Sequence, residues 1–300
     1  MSLFLGCPIW AYKGWVGNFF PRATKSSDYL REYARRLNAV EGNTTFYAVP
    51  ALDTLARWVE ETPPDFRFCP KIPKTISHAG AVSEHIPLAL NFIQIMQSLG
   101  SRLGPIFLQL PPSYSPKMMA DLSRFLEAWP SGVPLAVEVR HMQWFDAPYQ
   151  EALNTLLSGY EAARVVIDTR PIRSLRDDSL LEGSVYLRLL QAHERKPNQP
   201  IIPELTSDFV FLRFIGHPQI EQNFPVIDEW AGYLADWLQK GVQAYVFCHC
   251  PDERLDPWLC REFHRRTAIR LAERPAGSGL IQPLPWDARG ADEGSQGRLL

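Results

Sequence analysis

The sequence lacks the long apolar runs from which membrane-spanning helices are built. No stretch of its 300 residues approaches the roughly 20 consecutive apolar residues that cross a bilayer. The N-terminal segment MSLFLGCPIWAYKG has no basic region followed by a long apolar core, which argues against a signal peptide. These absences predict a protein without a membrane partner that works in the reducing cytoplasm.

Cysteine and excess charge of one sign are also scarce. An odd number of cysteines, far apart in the chain, does not predict a disulfide framework. No CxxC pair is present, and strand alternation aims His249 away from the cysteines beside it, so the run CHC does not predict zinc. The net charge of −2 lacks the basic excess used for broad nucleic-acid binding. The cysteines are Cys7, Cys69, Cys248, Cys250 and Cys260.

Three motifs with known chemistry are missing as well. The absence of GxGxxG, a P-loop and GxSxG disfavours dinucleotide binding, NTP hydrolysis and the α/β-hydrolase class. What remains is an ordinary globular composition, 46% hydrophobic and 21% charged, in a chain long enough for one large domain or two small ones.

Short apolar runs alternate with helical patterns along the chain. A helical pattern follows every predicted strand except the sixth, which indicates a parallel sheet covered by helices. The predicted strands are Leu3–Cys7, Ala39–Asn43, Phe66–Lys71, Pro105–Leu110, the start of Leu135–Trp144, Arg164–Asp168, Phe209–Gly216 and Gln243–His249.

Eight such units favour a TIM-type (β/α)8 barrel in one domain, residues 1–272, with a doubly wound sheet as the rival. A Pro-rich stretch, 171–208, is predicted as an insertion between strands 6 and 7, although Val185–Leu190 within it has the character of a strand. Residues 273–300, rich in Gly, Pro, Arg and acids, are predicted to form a flexible tail.

The stretch LAVEVRHMQW, Leu135–Trp144, shows how polar residues are placed on these strands. Alternation puts Glu138 and Arg140 on the face opposite Val137 and Val139. A strand that is apolar on one face and ends in an acid and a base on the other predicts a site at its end.

Polar residues also end the other strands, and the carboxyl ends of barrel strands converge on one mouth. These side chains are therefore predicted to form one site, in which the basic members suit a carboxylate or a phosphate. The predicted catalytic residues are Glu41, Glu138, Asp168 and His249, and the predicted substrate-binding residues are Asn43, Lys71, Gln109, Arg140 and Arg213.

Our leading hypothesis is an enzyme, a hydrolase, lyase or isomerase, acting on a small anionic sugar, phosphoester or carboxylate. Glu138 or Glu41 would be the general base, and His249 or Asp168 the acid. A second hypothesis makes these four residues ligands of a divalent metal in a phosphoester hydrolase or isomerase. A third is a non-catalytic barrel for a metabolite or single-stranded nucleic acid, which a steep salt dependence would reveal.

A simpler alternative assigns these charges no ligand at all. They would then pair with each other and serve only to stabilise the barrel. No oligomeric state follows from these patterns.

Seven pieces, in order between Gly6 and Pro218, are GCPIWAYKGWVGNFFP, VEGNTTFYAVP, RFCPKIPKTISH, LGPIFLQLPPSY, LAVEVRHMQWF, the pair Asp168-Thr169 and VFLRFIGHP. Together they resemble the YecE-like family, domain of unknown function 72 (DUF72), and YVFCHCP is a looser match. The resemblance implies a TIM-type barrel but no reaction, because the family has none established. The residues on motif positions are Glu41, Asn43, Lys71, Glu138, Arg140, Asp168 and Arg213.

This chain departs from the family pattern at two places. It has Cys7-Pro8 where many members have Ser-Gly, and Cys248-His249-Cys250 where many have asparagines. The first change removes the basis for assigning a role to backbone amides there.

Overall fold

Eight parallel strands form the central sheet of the computed structural model, which describes residues 1–173, 181, 183–274 and 280–288. Their spatial order is β3-β2-β1-β8-β7-β6-β5-β4, so sequence neighbours are also neighbours in space. The strands are β1 Leu3–Cys7, β2 Ala39–Gly42, β3 Arg67–Pro70, β4 Ile106–Gln109, β5 Leu135–Glu138, β6 Ala163–Asp168, β7 Phe209–Ile215 and β8 Gln243–His249. The predicted strands are thereby confirmed.

The two outer strands of this order, β3 and β4, meet and bring the sheet round on itself. They are joined by isolated bridges between Phe68 and Leu103 and between Lys71 and Phe107. The amide of Gly104 donates to the Phe68 carbonyl at 2.8 Å. The sheet is therefore a nearly closed barrel, which confirms the TIM-type prediction over a doubly wound sheet.

Helices follow the strands and cover the outside of the barrel. In α2, for example, Leu55 and Trp58 lie three residues apart on one face and are buried. No helix among the described residues has the length and apolar character needed to span a bilayer. The helices are α1 Tyr29–Ala34, α2 Leu52–Glu61, α3 Lys74–Ser77, α4 Ile86–Met96, α5 Met119–Glu127, α6 Ala147–Gly159, α7 Gly183–Arg195, α8 Phe224–Gln239, α9 Asp256–Ala272 and α10 Pro285–Ala288.

Strand alternation divides the apolar core into two layers. The larger layer lies between sheet and helices and includes Leu108, Val137 and Leu212. The smaller one fills the barrel, where the rings of Phe107 and Phe211 stack with centroids 5.2 Å apart. All five cysteines are buried and free. Because apolar side chains fill the barrel, the polar side chains of the described strands reach its interior near the strand ends.

The connection between β6 and β7, predicted as an insertion, contains helix α7. The alternative strand at 185–190 is wrong, because Val185 and Leu189 lie one helical turn apart and are both buried. Leu189 packs with Ile167 and Ile215, which end β6 and β7, and Ala192 packs against the same cluster. Helix α7 therefore covers part of the barrel mouth; residues 174–180 and 182 lie outside the described residues.

Part of the predicted flexible tail packs against the barrel. Leu284 is buried, and the Trp286 ring lies 5.1 Å from that of Phe19 and 4.7 Å from that of Trp258. The Trp286 amide donates to the Arg36 carbonyl at 3.2 Å. The rest of that prediction falls on residues 275–279 and 289–300, which lie outside the described residues.

Candidate functional site

Polar side chains form a layer directly above the rings that fill the barrel. Most of them follow an inward-facing apolar residue by two positions, as Arg213 follows Phe211, so alternation turns them inward as well. Arg140 follows the inward-facing Glu138 in the same way. Residues paired in register bring these side chains together, as with Gln109 and Glu138 on β4 and β5. The strand-end residues placed here as predicted are Glu41, Lys71, Gln109, Glu138, Arg140, Arg213 and His249.

Arg213 lies at the centre of this layer and joins two glutamates. Its Nε and Nη2 donate to the two carboxylate oxygens of Glu41, each at 2.8 Å. Its Nη1 donates to Oε2 of Glu138 at 2.7 Å. Arg213 is only 3% exposed. The guanidinium of Arg213, which was predicted to hold a substrate anion, links β2, β5 and β7 through protein carboxylates.

The two glutamates have further hydrogen-bond partners. Glu41 accepts from Asn43 Nδ2 at 2.7 Å and lies 3.1 Å from His249 Nε2. Arg140 Nε donates to Oε1 of Glu138 at 2.6 Å. Every oxygen of the two glutamates thus accepts at least one hydrogen bond. We call this connected set the mouth network; its members are Glu41, Asn43, Glu138, Arg140, Arg213 and His249.

Both glutamates of the mouth network are held in the ionised form. Burial by itself would raise the pKa of Glu138, but Arg140 and Arg213 lower it to about 2. Burial opposes ionisation of Glu41 too, yet Arg213 and then His249 hold its pKa well below the usual range. A carboxylate with so low a pKa is a weak proton acceptor near neutral pH, so the geometry favours other groups for proton transfer.

His249 is a neutral hydrogen-bond donor in this network. Burial lowers its pKa to about 4, even though the Glu41 carboxylate acts in the opposite direction. An ionised carboxylate only accepts hydrogen bonds, so Nε2 of His249 carries the proton that it shares with Glu41. At neutral pH the imidazole therefore orients Glu41 and has no second proton to release as an acid.

Lys71, beside the network, has an unusual environment for a lysine. Its Nζ donates to Gln109 Oε1 at 2.6 Å and lies 4.1 Å from the centre of the Phe46 ring. Within the part of the chain that the structure describes, no carboxylate lies within salt-bridge distance of this amine. Burial, and then the nearby charge of Arg213, lowers the pKa of Lys71 to about 7. Near neutral pH a substantial fraction of Lys71 is the uncharged amine.

A second lysine, Lys196, directly follows the end of α7, and its backbone is held beside the end of β6. Its carbonyl accepts from Arg173 Nη2 at 2.6 Å, and the next carbonyl, of Pro197, accepts from Thr169 Oγ1 at 3.0 Å. These bonds tie the segment to the end of β6. Burial and Arg213 lower the pKa of Lys196 to about 8, and the other charges of the mouth network act on it too. Sequence reasoning missed Lys196, which was visible only as one member of a charged run.

Asp168 was predicted in the site and lies elsewhere. Its inward-facing neighbour is Ile167, so Asp168 points outward to the helices. There Trp230 Nε1 of α8 donates to its carboxylate at 2.7 Å, and the Arg170 guanidinium binds the same carboxylate. Asp168 is fully buried by these contacts and anchors α8 to the sheet.

Because Asp168 points outward, the four residues proposed as metal ligands do not come together. Asp168 is on the opposite face of the sheet from Glu41 and Glu138, and the Arg213 guanidinium binds both glutamates, as a dication would. Among the described residues, no group of three or more His, Cys, Asp or Glu side chains is arranged to hold a metal ion.

The fold and the site define a class: TIM-type barrels with a buried, ion-paired network at the carboxyl ends of the strands. A family model described as "Protein of unknown function DUF72" matches residues 4–285. The chain therefore belongs to the DUF72 family, as the sequence motifs implied.

Relatives share most of the chain. It is 36% identical over 278 residues to the UPF0759 protein YecE of Escherichia coli (strain K12), covering 91% of this chain and 97% of YecE. It is 26% identical over 254 residues to the UPF0759 protein YunF of Bacillus subtilis (strain 168), covering 81% and 87%.

Solved structures of two DUF72 family proteins have the same fold. The protein from Enterococcus faecalis V583 superposes with a TM-score of 0.65 at 17% identity, covering 94% of this chain and 100% of its own. The protein from Thermotoga maritima MSB8 gives 0.64 at 20% identity, covering 91% and 100%. At these identities the likeness supports the fold alone.

Proposed function

We propose that the barrel mouth binds a small anionic substrate, a carboxylate or a phosphate, and that the protein is an enzyme acting on it. One observation carries this proposal. Within the mouth network the two glutamates balance the two arginines, and His249 is neutral. Lys196 and the protonated fraction of Lys71 then add positive charge, and no described carboxylate is within salt-bridge distance of either amine. A site with surplus positive charge and weak hydration favours an anionic ligand.

Arg140 is the member of the network best placed to meet a ligand. It uses Nε for Glu138, and its side chain is still 18% exposed. No hydrogen bond from its Nη atoms to other described residues is present, so these donors are available to a ligand. Glu138 fixes the orientation of the guanidinium, and an arginine held in this way offers a planar fork to a carboxylate or phosphate.

The cost of the mouth network also supports a ligand site. A buried ion pair adds little stability compared with apolar residues of the same size, because each charge must first be removed from water. A barrel that needed only stability would be served by further rings like those of Phe107 and Phe211. Buried charges held at fixed positions are instead what electrostatic preorganisation of a site requires.

Thermal denaturation with a panel of inorganic phosphate, sugar phosphates and small carboxylates tests this proposal, followed by calorimetric titration of those that stabilise. We expect Arg140→Ala and Lys196→Ala each to weaken binding at least about fivefold, roughly 1 kcal/mol. Lys74→Ala is the matched control, because Lys74 is exposed and lies three residues after Lys71. No stabilisation by any of these anions, or equal losses in Lys196→Ala and Lys74→Ala, would contradict an anion site here.

A further inference from the structure

We propose that Lys71 is a nucleophile that forms a covalent imine with an anionic carbonyl compound, either a 2-oxo acid or a phosphorylated aldose or ketose. This inference rests on the anion site proposed above and names the substrate class of that site. It starts from the one primary amine at the end of a described barrel strand, where TIM-barrel active sites lie.

An amine attacks a carbonyl carbon only through a free electron pair, so a lysine held as an ammonium ion by a carboxylate is unsuitable. Lys71 has an amide acceptor, Gln109, where a surface lysine commonly has an acid. The rings of Phe46 and Phe107 lie 4.1 and 5.5 Å from Nζ and exclude water from it. Lys71 is 7% exposed. These contacts leave the amine oriented, dry and without an ion-pair partner.

The charges around Lys71 support the same role. Burial disfavours the ammonium form most, and the charges of Arg213 on β7 and of Arg140, two residues after β5, act in the same direction. Glu138 and Glu41 favour the ammonium form but do not outweigh burial. The result is a pKa of about 7, so the reactive form is abundant near neutral pH.

The anionic group of the substrate has its own partners in the same mouth. Arg140 and Lys196 would hold a carboxylate or phosphate, which leaves the carbonyl carbon to approach Nζ. The backbone of Lys196 is held beside the end of β6, and Lys71 directly follows β3. One substrate with an anion at one end and a carbonyl at the other would therefore engage both features.

The proposed step is balanced without a cofactor. The Lys71 electron pair forms a C–N bond as the carbonyl π pair moves to oxygen, which takes up a proton to give a carbinolamine. The carbinolamine then loses its hydroxyl group. The oxygen leaves as water with the two hydrogens of the neutral amine, and a C=N bond remains. An imine of this kind withdraws electrons from the adjacent carbon, which is the basis of lysine-dependent lyase and isomerase chemistry.

Reductive trapping tests the imine directly. The full-length protein is incubated with pyruvate or dihydroxyacetone phosphate near neutral pH, with and without cyanoborohydride, and the modified peptide is located by mass spectrometry. We expect one saturable adduct on Lys71 with one of the two compounds. The compound that gives the adduct identifies the substrate class, a 2-oxo acid for pyruvate or a phosphorylated sugar for dihydroxyacetone phosphate. Lys71→Arg should abolish it, because a guanidinium does not form an imine, and Lys74→Arg should label like the wild type.

Two results would overturn the proposal: no adduct on Lys71 with either compound, or labelling shared evenly among exposed lysines such as Lys74. Unfolding curves for Lys71→Arg and a second variant, Lys71→Met, verify that loss of labelling occurs in folded protein. Stabilisation by lactate and glycerol phosphate, which lack the carbonyl, is measured in parallel. If they stabilise and nothing is trapped, the imine alone is wrong; if no anion stabilises, the anion site itself has failed.

Discussion

Arg213 on β7 and Glu41 on β2 form a two-pronged ion pair across the barrel mouth, with both N–O distances at 2.8 Å. The two residues are 172 positions apart in the chain, and the same guanidinium also binds Glu138. This pair joins β2 and β7 across the interior of the barrel, at the carboxyl ends of the strands. It also determines which of the predicted site residues remain available to a ligand.

Replacing Arg213 by Met should destabilise the fold strongly, because Glu41 and Glu138 would be left buried with their main partner gone. Breaking a buried ion pair from one side costs about 3–5 kcal/mol. The loss of stability in Arg213→Met is measured as the change in the free energy of unfolding from urea titration. Arg265→Ala is the control: Arg265 pairs with Glu262 on the surface and should cost less than about 1 kcal/mol. A similar small loss in both variants would refute the central role of Arg213.

Acid should destabilise the protein through Glu138. Its pKa is about 2 in the folded protein and near 4.5 in the unfolded chain, so between these values the unfolded state binds more protons. The stabilising contribution is complete above the unfolded pKa and is lost as the pH falls towards 2, by roughly 3 kcal/mol in total. Urea unfolding at a series of acidic pH values should therefore show a steeper loss for the wild type than for Glu138→Gln. Parallel curves would contradict this account.

Asp168→Asn tests whether the outward-facing carboxylate of Asp168 affects stability without affecting ligand binding. It weakens the contacts to Trp230 Nε1 and to the Arg170 guanidinium, so we expect a loss of about 1–3 kcal/mol in the free energy of unfolding. Affinity for a stabilising anion should stay within about twofold of the wild type, well below 1 kcal/mol. A large loss of affinity in folded Asp168→Asn would contradict this assignment and indicate that Asp168 contributes to the binding site.

Trp286→Ala tests the packing of residues 280–288. The indole contacts the rings of Phe19 and Trp258, and Arg261 lies 4.7 Å from its centre. Because Trp286 is only partly buried, its removal should cost about 2 kcal/mol, below the 3–5 of a fully buried tryptophan. Leu280→Ala, at an exposed position, is the control in the same denaturation series. Equal stability of both variants would show that this segment adds nothing.

Most of the barrel could be predicted from the sequence because each strand carries its own local signal. The fifth strand shows an apolar face and ends in Glu138 and Arg140, and the structure brings both to the mouth. Helix α7 also had a local signal, the spacing of Val185, Leu189 and Ala192, but the prolines around it led to the prediction of an insertion.

The errors in the site have two different origins. Asp168 was chosen because it ends a strand, although the alternation of Val165, Ile167 and Asp168 already placed it on the outer face. The role of Arg213 had no such local signal, since its partners lie on strands far away in the chain. Lys196 also depends on tertiary structure, because only the path of the chain after α7 brings it to the mouth.

The bridges between β3 and β4 have a consequence for motion. Every other pair of neighbouring strands shares a continuous ladder, whereas this seam has isolated bridges at Phe68 and Lys71. Local opening begins where the fewest backbone hydrogen bonds must break. The weakest contact between neighbouring strands therefore includes the backbone of Lys71, and slow opening of this contact would move Lys71 with it.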